Sequence, residues 1–230
     1  MTEPAKETIN RLPRHTTPGK QRAIKYALWL VLKIVARVDV QGLENLPFGP
    51  FVAVVNHLSS FDTLTGIAIG PVRPATTFAA IEHRSDPLGG WILDQLGVIW
   101  VRRGEADREA IKLALDELKN GTVMAMAIEG TRSRTGGLQP GKTGPAFLAS
   151  RTHVPIIPTA IWGTEQIIAN LKHFKRSQVH VRVGHPVFLP EGRANTEQLE
   201  QYTDQIMLKI AAMLPPAYRG VYADRIAETA

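Results

Sequence analysis

The chain has 230 residues, no cysteine, a net charge of +6, 44% hydrophobic residues and 21% charged residues. Those values suit one folded domain, alone or with a small helical appendage, and exclude a chain disordered overall. The lack of cysteine excludes disulfides, a thiol nucleophile and cysteine-ligated metal centres, while the basic balance favours anionic partners such as nucleic acid, anionic lipid or phosphorylated substrates.

Residues 1–19, with Pro4, Pro13 and Pro18, read as a flexible tail without the apolar segment of a secretory signal. From Lys20 to Val38 there is neither Gly nor Pro, and the segment reads as a helix. Its apolar middle (Ile24, Leu28, Trp29, Leu32) is wider than one stripe and is bracketed by Lys20, Arg22, Lys33 and Arg37. Two readings fit. One is an interfacial helix with cations toward lipid phosphates; the other is a core-packed helix with snorkelling lysines. The apolar run Tyr26–Leu32 falls well short of the ~20 residues of a spanning helix.

Residues 39–215 form the expected main domain. Phe51–Val55 (FVAVV) is a continuous apolar run, as in a strand covered on both faces. A helix from Ser60, a short strand over Thr76–Ala80, a helix over Pro87–Leu96 and a strand over Val98–Val101 follow. Asp107–Lys119 carries Ile111, Ala114, Leu115 and Leu118 on one helical face, and Gly121 stands where a C-terminal stop is expected. Val123–Ile128 reads as a buried strand, and a Gly-rich loop leads to a short helix over Pro145–Arg151. Strands over Ile156–Ile161 and Val179–Val183 precede a last helix, Thr196–Met213. Pro215 and Pro216 stop that helix, which leaves 216–230 as an expected C-terminal tail. The alternation predicts an α/β fold with a mostly parallel central sheet flanked by helices, with ligands beyond the carboxyl ends of the strands.

Three polar motifs each follow a buried strand: Asn56–Asp62 (NHLSSFD), Arg102 with Arg103, and Glu129–Arg134 (EGTRSR). In neighbouring parallel strands they open onto one edge of the sheet. Five residues on an ideal helix turn through about 140°, so His57 and Asp62 meet only if His57 lies in a turn and Asp62 in the first turn of a helix. Ser59 or Ser60 as N-cap supplies that start. Asp62 then takes the proton of one imidazole nitrogen and leaves the other as a base. On spacing alone, a capping Asp in a surface turn is the better account, and the other two motifs change that. Arg102, Arg103, Arg132 and Arg134 have the fork geometry for phosphate oxygens, which together with a histidine base points to a substrate with a hydroxyl and a phosphate. Glu129 fixes this loop or pairs with an arginine.

Gly136–Thr143 (GGLQPGKT) matches the phosphate-loop pattern, but EGTRSRT separates it from its strand, and Gly144 and Pro145 interrupt the helix that should follow. No G-x-S-x-G motif, ligand-spaced histidine pair or nucleic-acid-binding module occurs.

Four blocks in order resemble the glycerolipid acyltransferase family, of which 1-acyl-sn-glycerol-3-phosphate (lysophosphatidate) acyltransferase is typical. They are NHLSSFD, GVIWVRR (Gly97–Arg103), EGTRS (Glu129–Ser133) and VPIIPTAI (Val154–Ile161), within residues 40–190. The resemblance implies direct transfer of a fatty acyl group from a thioester to a lysophospholipid hydroxyl. His57 and Asp62 would be catalytic, and Arg103, Glu129, Gly130, Thr131 and Arg132 would bind substrate. Backbone N–H groups near the third or fourth block would hold the oxyanion. No metal or cofactor is implied; acyl-CoA or acyl carrier protein is the co-substrate. The N-terminal helix would meet an anionic membrane surface on the cytoplasmic side, as a peripheral or monotopic element, without nucleic acid as a partner. Trp100, Arg102 and Ala80 depart from the family's usual Phe, Asp and Lys, in the part that defines the acceptor. Glycerol 3-phosphate or another lysolipid is the alternative acceptor. A non-catalytic anionic-membrane-binding protein and a nucleotide hydrolase are the competing classes.

Overall fold

In the computed structural model, which describes residues 18–70, 73–102 and 107–227, short apolar runs form the strands and longer amphipathic segments form the helices between them. Helix α1 (Pro18–Val35) leads into strand β1 (Ala36–Gln41), followed by β2 (Val52–Val55), α2 (Ser60–Ile69), β3 (Ala75–Ala80), α3 (Gly89–Gln95) and β4 (Ile99–Val101). Next come α4 (Arg108–Lys119), β5 (Val123–Ala127), α5 (Gly144–Thr152), β6 (Ile156–Trp162), α6 (Ile167–Leu171), β7 (Ser177–Val183), α7 (Thr196–Met213) and α8 (Ala223–Ala227).

The seven strands form one sheet in the order β1-β7-β6-β2-β5-β3-β4. β2, β3, β4, β5 and β6 run the same way. β7 pairs antiparallel with β6, and β1 pairs parallel with β7, so the β1–β7 end of the sheet is reversed. That reversal has a topological consequence. The starts of β1 and β7 lie at the edge where the other five strands end.

Side chains alternate across the sheet as the pleat requires. Val52, Val54, Ile156 and Ala160 pack into a core under α4, α5, α7 and α8 with Leu118, Leu148, Ile206 and Met207. Ala53, Val55, Ile157 and Ile161 face the opposite layer, where Leu32 of α1, Ala68 of α2 and Ile167 of α6 cover them. Both faces of the central strands are therefore dry, which is why they read as unbroken apolar runs.

Two expectations need correction. The first helix ends at Val35 rather than Val38, because Ala36–Gln41 (ARVDVQ) alternates and finds a partner in β7, from Ala36 opposite Ser177 to Gln41 opposite Arg182. The stretch from Pro216 is not a tail over its described part. Tyr222 and Ile226 are buried in the α7-side core, and the Tyr218 carbonyl accepts from the Leu138 N–H at 3.0 Å. Tyr218, Tyr222 and Ile226 repeat every four residues, a helical apolar signal too short to stand out beside the proline pair. Residues 1–17 of the expected N-terminal tail lie outside the described residues.

Candidate active site

The site begins where β2 ends. Asn56 is fully buried and bridges to β6 in both directions. Its Nδ2 donates to the Ile161 carbonyl and its Oδ1 accepts from the Ile161 N–H, each at 2.8 Å. This pair replaces the next rung of the ladder and frees the chain to leave the sheet at His57. Ser59 then caps α2: its Oγ accepts from the Phe61 N–H at 3.0 Å, and Asp62 reaches back to the Ser59 N–H in a capping box. Asp62 thereby sits in the first turn of α2, next to the positive end of the helix dipole.

Asp62 has a full set of donors. Its Oδ2 lies 2.9 Å from His57 Nδ1 and accepts from the N–H groups of Leu58 and Ser59, each at 2.7 Å. Its Oδ1 accepts a short hydrogen bond from Thr164 Oγ1, in the turn after β6. The Asp62 side chain is 1% exposed and that of His57 is 19% exposed. A carboxylate with its donors in place fixes the imidazole with Nδ1 protonated and Nε2 as the acceptor. Thr164 escaped the sequence reading because it is 102 residues from Asp62. What places it is Gly163, at φ +88°, where a Cβ would lie 2.0 Å from the Gln178 carbonyl oxygen, so the β6 exit admits only glycine.

The third block is bound to the first through backbone. Glu129 Oε1 accepts from the His57 N–H and Oε2 from the Gln139 N–H, both at 3.0 Å, and Ser133 N–H donates to the His57 carbonyl at 2.7 Å. Glu129 is 2% exposed, and no arginine is among these contacts. These contacts hold the two loops together, the loop-fixing part expected of Glu129. Burial pushes its carboxyl above the usual range, against the two amide donors that pull it down. Gly130, at φ +73°, turns the chain beyond it and presents Gly130, Thr131 and Arg132 at the surface. Arg132 Nη1 donates to Ser60 Oγ at 3.2 Å, which places its guanidinium at the mouth of α2.

The second block stands apart. β4 is the third strand beyond β2, so Arg102 begins roughly 14 Å across the sheet from the His57 strand, though at the same edge. Arg103 lies outside the described residues. Trp100 is buried, and its indole N–H donates to Asp94 Oδ1 at 2.8 Å, which accommodates the departure from Phe.

The Gly136–Thr143 loop is not a phosphate cradle. A phosphate loop needs its backbone N–H groups free. Here Leu138 N–H donates to the Tyr218 carbonyl, Gln139 N–H to Glu129, and Lys142 N–H to the Ile128 carbonyl at 2.8 Å. The C-terminal segment thus clamps the loop that carries Glu129. Tyr218 also donates its hydroxyl to Glu165 Oε1 at 2.8 Å. Burial and that carboxylate raise the phenol to about 12.

Residues 37–162 match the family model described as Acyltransferase. The chain is 33% identical over 147 residues to a chloroplastic 1-acyl-sn-glycerol-3-phosphate acyltransferase of Brassica napus, covering 61% of this chain and 42% of that relative. It is 26% identical over 198 residues to a lyso-ornithine lipid O-acyltransferase of Pseudomonas aeruginosa, covering 77% of this chain and 74% of the relative. The crystal structure of the 1-acyl-sn-glycerophosphate acyltransferase PlsC from Thermotoga maritima is similar with a TM-score of 0.63 and 28% identity, over 81% of this chain and 79% of that one. The chain therefore spans less than half the length of the Brassica relative.

Proposed function

The chain belongs to the acyltransferase family, and from that premise we propose that it moves a fatty acyl group from acyl-CoA or acyl carrier protein to the hydroxyl of a lysophosphatidate-like acceptor in phospholipid synthesis. The observation that carries this reading is the His57–Asp62 pair, with Asp62 buried under four donors and His57 partly exposed at the edge where the strands end. His57 Nε2 takes the proton of the acceptor hydroxyl as its oxygen attacks the thioester carbonyl. Asp62 holds the imidazole and stabilises the imidazolium that forms. The tetrahedral intermediate then expels the thiolate, which recovers that proton and leaves as free thiol. No acyl-enzyme is needed. In this reading Arg132, with Gly130 and Thr131, and Arg103 of the second block bind the acceptor phosphate; the exposure of Arg132 beside Ser60 at the start of α2 supports it.

The reaction belongs at an anionic membrane surface, on the cytoplasmic face where acyl thioesters are found. Helix α1 supports this: Tyr26, Leu30 and Ile34 are exposed on its outer side, and Lys20, Arg22 and Lys33 are exposed around them. No described helix is long and apolar enough to cross a membrane.

Acceptor-dependent release of free thiol, with lipid products identified by mass, tests the reading. It is expected with lysophosphatidate and lost in His57→Ala with the fold retained. Undiminished release in that variant, or none from the native protein with lysophosphatidate, glycerol 3-phosphate or other lysolipids, overturns it.

A further inference from the structure

Of the exposed large apolar residues, Phe174 is the most conspicuous after Phe48. Its side chain is 99% exposed, and its backbone adopts φ +55°, a conformation costly for a bulky residue. Among the described residues nothing covers this ring, yet the turn is firmly built. Phe174 N–H donates to the Leu171 carbonyl at 3.0 Å and Lys175 N–H to the Asn170 carbonyl at 2.9 Å. Asn170 Nδ2 donates to Ser177 Oγ at 2.9 Å. The turn is therefore a fixed projection.

Its surroundings state what it projects into. Ile168 and Leu171 are exposed at 53% and 38%, and Lys172, His173 and Lys175 are exposed around Phe174. Apolar tips ringed by lysines match the boundary between lipid headgroups and acyl chains, where the ring is buried and the cations meet phosphates. A protein partner of ordinary interface composition would find few lysines at its core.

Topology adds the location. Because β7 and β1 run against the other strands, the α6–β7 turn and the end of α1 both lie at the edge where His57 sits. Arg176 ties them by donating to the Ala36 carbonyl. Ile34, 71% exposed, stands two residues before that contact.

We infer that the Leu171–Arg176 turn is a second lipid-contact element, which acts with the C-terminal end of α1 to seat the catalytic edge on an anionic bilayer. The inference rests on the membrane-surface reading above and adds an element that fixes orientation. One helix on a membrane can roll about its axis; a helix and a separate turn cannot.

The test is sedimentation of the full chain with phosphatidylglycerol-rich vesicles against phosphatidylcholine vesicles, for the native protein, Phe174→Gly, Lys172→Gln with Lys175→Gln, and Ile34→Asp. Phe174→Gly relieves the backbone and removes the ring. It is expected to raise the melting temperature and to weaken binding about tenfold, as loss of one buried aromatic does. Thiol release with a monodisperse short-chain acceptor is expected to be unchanged. The double lysine variant is expected to lose the preference for anionic vesicles. Native-like vesicle binding by Phe174→Gly, with Ile34→Asp still weakened, overturns this inference and leaves the role of α1 standing. Failure of the native protein to bind either vesicle overturns both lipid readings, while the short-chain acceptor assay judges acyl transfer independently. A Phe174→Gly effect on oligomeric mass in place of vesicle binding overturns the inference in favour of a second copy of the chain.

Discussion

Helices α1 and α7 have the same length, 18 residues each, and lie on opposite faces of one sheet, yet they finish differently. α7 buries Ile206, Met207 and Ile210 completely and turns Glu197, Glu200, Gln201 and Lys209 to solvent. α1 buries Leu32 against the sheet and leaves Tyr26, Leu30, Val31 and Ile34 exposed on its other side. The α7 layer closes a core against water, whereas the α1 layer packs inward and offers apolar surface outward. Asp62 sits in the first turn of α2 and His57 in the turn just before it, both on the α1 side of the sheet. Both faces of the sheet carry a buried core, and the His57–Asp62 pair belongs to the layer that stays open outward.

The largest effect that tests this division is His57→Ala. It is expected to lower acyl transfer about 1,000-fold, as loss of a general base does. Denaturant unfolding should change little, because the ring lies at the margin of the core and Asp62 keeps three other donors. Ile206→Ala or Ile210→Ala on the closed layer should do the reverse. Each is expected to cost about 2–5 kcal/mol by denaturant titration while the folded fraction keeps its specific activity. A large activity loss in a fully folded Ile206→Ala protein would break the division.

Thr164→Val sharpens it at the site itself. The change leaves Asp62 Oδ1 buried without its side-chain donor, which is expected to cost about 1–3 kcal/mol in chemical unfolding. Turnover should fall more than KM rises, because the imidazole is less firmly held. On α1, Tyr26→Glu with Ile34→Glu should leave unfolding within about 0.5 kcal/mol and weaken vesicle binding severalfold.

The smallest effect concerns pH. Glu129 is held above the ordinary carboxylate range by burial, so between the unfolded and folded values the folded chain binds more protons than the unfolded one. Its contribution to stability is fully present below the unfolded value and is lost as pH rises through the folded value. Melting temperature followed upward from pH 4 should show this decline. Glu129→Gln should flatten it, although its amide replaces one acceptor with a donor facing the His57 or Gln139 N–H.

Much of this was readable in order along the chain. FVAVV, VMAMA and the amphipathic Arg108–Lys119 reveal themselves through pattern alone, since strand and helix periods are local properties. The His57–Asp62 contact is also local. An N-cap serine and six residues of turn geometry suffice for it, which is why the motif could be placed before any fold was known. Family order in the four blocks pointed to the same chemistry.

The rest depends on partners far away in sequence. The Thr164 donor, the Asn56 bridge to Ile161 and the Glu129 link from His57 to Gln139 join segments that a linear reading treats separately. The alternating segment ARVDVQ resembled the end of a helix until β7 offered it hydrogen bonds, and the C-terminal residues resembled a tail until the Leu138 loop gave them something to clamp. Local patterning thus chose the elements and the His57–Asp62 contact, because propensity and capping act within a few residues. Only the sheet order, with β1 and β7 reversed, decided that α1, the Phe174 turn and His57 share one edge. Strand direction is set by long-range pairing, and no window of sequence contains it.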